Sequence, residues 1–225
     1  MSEATLALRR NSAFGALVRF LDYTYEGIRL LAKPTAFLFH KLGIKANQVT
    51  MSRLVCSPIT FYLLYSFERT ATEYLIAVLF WGYSDAVDGA MSKDFERKSN
   101  DDKGVMLDSG ADKCMTISMY GYHYGNFPNI VFITIASELL LAILSIGSVA
   151  YAALFGQDAQ QVIGKMKSTY WGKFKLGLEI ASAVLMAWYA QTYSPKIQIA
   201  IYTTAITAIF LLIMSLLTKV KKVLG

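Results

Sequence analysis

The sequence predicts an all-α integral membrane bundle of six transmembrane helices, preceded by an N-terminal amphipathic helix lying in the membrane interface. Three observations predict it. Of the 225 residues 55% are hydrophobic and only 17% are charged, a balance unlike that of a soluble domain. Six apolar stretches of membrane-spanning length follow one another, separated by polar connections. Lysine and arginine are concentrated in alternate connections, as cytoplasmic loops require.

Residues 1–46 are expected to form a cytoplasmic or interfacial segment and residues 47–225 the membrane domain. The first ten residues include Glu3 and lack the apolar core of a cleaved signal peptide. Over residues 11–32, Phe14, Leu17, Val18, Leu21, Tyr25, Ile28 and Ala32 share one helical face, with Arg19, Asp22, Glu26 and Arg29 off it. Such a helix suits the membrane interface, or equally the protein's own cytoplasmic face. Pro34 is expected to end it, and Gly43 to end a short second helix carrying His40 as an interfacial polar residue.

The first span is expected from Val49 to Phe67, with Asn47 or Thr50 as its cap. Arg53, just inside it, is placed to reach an acidic cluster or a phosphate, or to snorkel to headgroups. The second span runs from Ala71 to Ala90 and the third from Gly104 to Tyr124, with Tyr120, Tyr122 and Tyr124 forming an aromatic belt at its far end. His123 belongs with that belt and is assigned no chemistry. The fourth, fifth and sixth spans cover Asn129–Phe155, Phe174–Tyr193 and Ile197–Thr218. Glu138 and Glu179 lie inside the fourth and fifth, where acids are functional candidates by default, although Glu138 is expected to partner a neighbouring hydroxyl or amide. Cys56 and Cys114 read as small apolar residues, with neither disulfide nor metal-ligand spacing.

Eight Lys and Arg precede or open the first span, four lie between the second and third, four between the fourth and fifth, and three at the C-terminus. The opposite connections hold only Arg69 and Lys196, so both termini are expected in the cytoplasm of a cell inner or plasma membrane, which requires an even number of spans.

One stretch carries the chemistry. Asp85-Ala-Val-Asp88-Gly89 ends the second span, and Gly104-Val-Met-Leu-Asp108-Ser-Gly-Ala-Asp112 opens the third. Spacings of i,i+3 and i,i+4 put each acidic pair on one helical face, and a short connection makes the two helices antiparallel. Each Asp costs about 2.5–3.5 kcal/mol at the centre of a bilayer helix, so four together call for a compensating cation. A single Asp would ordinarily pair with a lysine or cap a helix. Four, interleaved with Gly89, Gly104 and Gly110, point instead to a hard divalent metal with room for a ligand. All four lie at the same, cytoplasmic membrane surface, within a turn or two of it.

These residues resemble the signature of the CDP-alcohol phosphotransferases. Asp85, Asp88, Gly89, Gly104, Asp108 and Asp112 match it; Ser92 and Lys93 stand where the family has Ala and Arg, and ten residues separate Lys93 from Gly104. Lys93 keeps the charge but not the planar fork of arginine. Asn47, Thr50 and Arg53 are similar to the family's P-N-x-x-T-x-x-R segment, with Ala46 in place of the proline. Gly172-Lys173-Phe-Lys175 is similar to the G-K-x-K-T-x-x-Q segment of phosphatidylglycerophosphate synthases, with Leu176 and Glu179 departing from it.

The resemblance implies transfer of a substituted phosphate from a CDP-linked lipid to an alcohol, with release of CMP (an EC 2.7.8 type reaction). It implies two Mg²⁺ or Mn²⁺ ions on Asp85, Asp88 and Asp108, shared by Asp112, with Asp112 as general base. Gly89, Lys93 and Gly104 would line the CDP site, and Arg53, Lys173 and Lys175 would meet substrate anions. CDP-diacylglycerol and glycerol 3-phosphate are the expected substrates, within a homodimer that has no nucleic-acid partner. Inositol phosphate or serine stays open as acceptor. So do two other classes: a cation transporter, disfavoured because the acids lie near one surface and no internal repeat is seen, and a non-catalytic homologue.

Overall fold

The computed structural model describes residues 13–96, 102–154 and 170–224, and every regular element among them is helical. In order these are α1 (Ala13–Lys41), α2 (Ala46–Ser66), α3 (Ala71–Ala90), a π-helical turn (Met91–Phe95), α4 (Asp102–Gly121), α5 (Pro128–Leu154), α6 (Tyr170–Thr192) and α7 (Pro195–Leu224). Lys165 and Lys167 lie outside the described residues.

The six expected spans correspond to α2–α7, with ends shifted by a few residues. Among the described residues, only α7 contains a stretch, Pro195–Ser215, that is by itself long and apolar enough to cross a membrane; Pro128–Leu144 of α5 is apolar but shorter. The other helices are interrupted by charge for a structural reason. Arg53 in α2, Asp88 in α3, and Lys175 and Glu179 in α6 are buried among neighbouring helices. Large apolar side chains such as Val55, Ile59, Leu79, Phe80, Phe132 and Ile143 point outward. This inside-out arrangement is what a lipid-facing bundle requires.

Pro34 does not end the first helix. α1 runs through it, from Ala13 to Lys41. An internal proline costs about 3 kcal/mol in a helix, and here packing on both sides of it offsets that. Ala32 and Ala36 are fully buried and share a cluster with Ala46, Val49, Ala86, Val87, Ala90 and Met91. These small residues let α1, α2 and α3 approach closely at the acidic end of the bundle. Gly43 does lie just past the end of α1, at φ +77°, in the left-handed region that favours glycine.

α2 begins one residue before Asn47, so neither Asn47 nor Thr50 caps it. Its start is held from within and from outside: Gln48 Oε1 of its own first turn accepts from Lys45 N–H at 2.8 Å, and Glu96 Oε1 accepts from Ala46 N–H at 2.6 Å. Those N–H groups would otherwise have no partner. α3 starts with a reciprocal cap, in which Thr70 Oγ1 accepts from Glu73 N–H and Glu73 Oε2 from Thr70 N–H.

The larger core fills the other half of the bundle. Phe61, Tyr74, Val78, Met115, Met119, Tyr120, Val131, Met186 and Ile201 interlock there. α4 stops at Gly121, leaving Tyr122–Phe127 as a turn. Tyr124 is exposed, whereas Tyr122 stacks on Tyr74 at 4.5 Å. His123 is buried edge-on against both rings, and burial holds its imidazole down to about 3, only weakly opposed by the Ala183 backbone. It is a neutral packing element.

Candidate active site

Three helices build the site. α2 packs against both α3 and α4. The last turns of α3 present Asp85 and Asp88, the first turns of α4 present Asp108 and Asp112, and α2 delivers Arg53 between them. Asp85, Asp108 and Asp112 each offer an oxygen, and these three atoms lie within 4.8 Å of one another. The two pairs, separated by 19 residues of sequence between Asp88 and Asp108, therefore meet at one point.

Arg53 is the most enclosed member, with no exposed side-chain surface. Its Nη1 donates to Asp85 and lies 3.6 Å from Asp88 Oδ2. Its Nη2 donates to Asp108 Oδ1 at 2.7 Å and to Asp112 Oδ1 at 3.1 Å. One guanidinium thus faces four carboxylates. Asp88 stands slightly apart: it is the most buried of the four, and Thr50 Oγ1 donates to its Oδ2 at 2.8 Å.

The donor set suits a hard cation. It consists of carboxylate oxygens, three of them already within one coordination sphere's reach of each other, and one guanidinium leaves the formal charge of the four acids far from neutralised. Asp85, Asp108 and Asp112 remain partly exposed, so the cluster opens to solvent on the side away from Arg53.

α1 and the π turn frame the opening. Lys93 pairs with Glu26 of α1 at 3.3 Å, and Asp94 with Lys33 at 3.4 Å. Phe95 packs between Phe37 and His40. Lys93 is half exposed and turned toward α1. Gly104 is tightly apposed to α2: a Cβ there would meet Asn47 Oδ1 at 3.0 Å. Gly110 is under less pressure, with Leu54 Cδ1 at 4.0 Å from the same construction. Gly89 is half-buried beside Asp88.

A second polar cluster lies deeper, among α4, α5 and α6. Lys175 Nζ donates to Glu138 and lies 3.3 Å from Glu179 Oε1; all three side chains are buried. Thr116 Oγ1 donates to Glu179 Oε2 at 3.5 Å. Glu138 therefore partners an ammonium rather than the hydroxyl or amide expected of it, because Lys175 reaches inward from α6 instead of into the aqueous connection. Lys173 lies in the first turn of α6, its side chain outside the described residues. Thr50 as an Asp88 donor and Glu96 as the α2 cap are contacts the sequence does not reveal. The signal for the Lys175 triad was present: two acids inside apolar spans demand a nearby cation.

The sequence pattern of the CDP-alcohol phosphatidyltransferase family matches residues 44–220, which include all four aspartates, Arg53 and the Lys175 triad. No curated protein and no solved structure matches the chain.

Proposed function

The chain belongs to the CDP-alcohol phosphatidyltransferase family, and on that premise we propose that it transfers a phosphatidyl group from CDP-diacylglycerol to glycerol 3-phosphate, forming phosphatidylglycerophosphate and CMP. Membership makes it a phosphotransferase of a membrane-associated, divalent-metal-dependent family that acts on a CDP-alcohol and an alcohol acceptor. The observation that carries the reading is the convergence of Asp85, Asp108 and Asp112 on one point.

Asp85, Asp88 and Asp108, with Asp112 shared, would hold Mg²⁺ or Mn²⁺. When bound, such ions offset charge on the diphosphate and on the attacking oxygen. Asp112 accepts the proton of the acceptor hydroxyl. That oxygen bonds to the lipid-side phosphorus, the bond from this phosphorus to the oxygen bridging to CMP breaks, and CMP leaves with the electron pair. Gly89 and Gly104 leave space for the nucleotide, and Lys93 offers a positive charge at its edge. The reaction lies at the cytoplasmic face of a six-span bundle, a placement supported by the lysine and arginine distribution. The active form is a homodimer.

Glycerol 3-phosphate is favoured by the Gly172-Lys173-Phe-Lys175 segment. The engagement of Lys175 by two carboxylates favours a second reading, an uncharged or amino alcohol such as serine. Purified protein with CDP-diacylglycerol, Mn²⁺ and each acceptor separates them through CMP release, run beside Asp112→Asn. Release that requires glycerol 3-phosphate and falls at least about a hundredfold in the variant is expected. Release with serine or inositol phosphate alone would replace the acceptor, and none with any acceptor would overturn the enzymatic reading.

A further inference from the structure

Arg53 already engages oxygens of all four aspartates that a bound cation would draw on. Its two terminal nitrogens reach oxygens of Asp85, Asp88, Asp108 and Asp112, with three of the contacts at 2.7, 3.1 and 3.6 Å. Arg53 meets Oδ1 of Asp85, Asp108 and Asp112 and faces Oδ2 of Asp88, so an ion bound through those same oxygens would compete with the guanidinium for them. Divalent ions contact carboxylate oxygens at about 2.0–2.6 Å. A guanidinium and a divalent ion compete for the same carboxylate oxygens, and their positive charges repel.

The guanidinium is gripped only at its tip. Arg53 Nε is buried and makes no hydrogen bond, and one turn along α2 the buried hydroxyl of Ser57 makes none either. Residues four apart share a helical face. Rotation of the arginine side chain along α2 would bring it toward that unused acceptor, while Thr50 keeps Asp88 in place from the preceding turn.

We propose that Arg53 is an internal stand-in for the metal: it holds the four aspartates together in the metal-free protein and withdraws as divalent ions bind. This rests on the reading of the aspartates as a metal site. It makes Arg53 a positioning residue whose presence weakens metal affinity while stabilising the unloaded fold. Removing any adjacent positive charge favours cation binding, so tighter binding is required of the variants and release of the wild-type guanidinium on metal binding decides.

The test uses the full-length protein in detergent after chelator treatment. Mn²⁺ affinity is measured by calorimetry, and the thermal midpoint with and without Mn²⁺. Arg53→Met is expected to bind Mn²⁺ about tenfold more tightly than wild type. Its midpoint should fall without metal and recover most of the loss at saturating Mn²⁺. Arg53→Lys, which keeps charge but cannot span four carboxylates, should fall between the two. Wild type supplies an independent measurement: the slowly exchanging guanidinium protons of a buried arginine, seen by ¹⁵N NMR, should lose protection on adding Mg²⁺. Unchanged or weaker Mn²⁺ binding in the variants, or protection that survives Mg²⁺, overturns the stand-in role alone. Absence of Mn²⁺ binding by wild type overturns the metal site with it.

Discussion

Lys175 closes a buried electrostatic unit with two acids from α5 and α6. Its ammonium is the only cation in contact with Glu138 and Glu179 among the described residues, and all three are nearly inaccessible. A buried carboxylate left without its counter-charge is expensive, so Lys175→Met should cost about 3–5 kcal/mol. Pairing it with Glu138→Leu should return a large part of that, because apolar side chains of similar volume replace a buried ion pair at little cost. Denaturant unfolding in detergent measures both, and a single variant as stable as wild type would show that the triad is not a closed electrostatic unit. Sequence reading identified Glu138 and Glu179 as intramembrane acids but assigned Lys175 to the aqueous side. The positive-inside pattern counts charges without telling which of them turn inward. Arg53 was more legible: the acidic cluster it meets was one of the destinations open to it, beside a phosphate and the headgroups.

At the level of the elements, periodicity and hydropathy gave α2–α7 to within a few residues, and the aspartate spacings placed both acidic pairs on facing helix surfaces. Helix ends were less legible. Pro34 reads as a stop because its ring removes a backbone donor, but the packing of Ala32 and Ala36 against α3 is a tertiary effect that no local rule contains. The cap of α2 comes from Glu96, 50 residues downstream. Gly104 joins element to site. A methyl group there meets the end of the flexible Asn47 side chain, which can shift. Alanine also favours the helix by about 1 kcal/mol over glycine. Gly104→Ala should therefore leave stability within about 1 kcal/mol while raising the KM for the CDP-lipid, since the methyl and the displaced amide narrow the nucleotide path. Thermal midpoint and initial rates report the two effects separately. A variant with a wild-type KM would mean that Gly104 serves helix packing rather than the ligand.

Across the whole molecule, charge and burial describe the same object from two directions. Apolar residues that face outward on α2, α3 and α5 need a lipid-like surrounding, and the charged residues that shorten these helices as apolar segments are turned inward. Among the described residues, only α7 carries a complete apolar span. Nineteen Lys and Arg lie in segments assigned to the cytoplasm, against Arg69 and Lys196 on the other side. This predicts which connections a membrane-impermeant reagent reaches. With Cys56 and Cys114 replaced, single cysteines introduced as Asn126→Cys and Ser194→Cys should react with an impermeant maleimide in intact cells. Ser99→Cys and Lys222→Cys should react only after the membrane is opened. The pairs are chosen so that one inverted helix would change the answer: with an odd number of spans, position 222 would label with 126 and 194. Labelling of Ser99→Cys from outside would instead place the aspartates on the face away from the cytoplasmic nucleotide pool. That outcome would remove the physical basis for a CDP-linked donor reaching Asp112 from the cytoplasm.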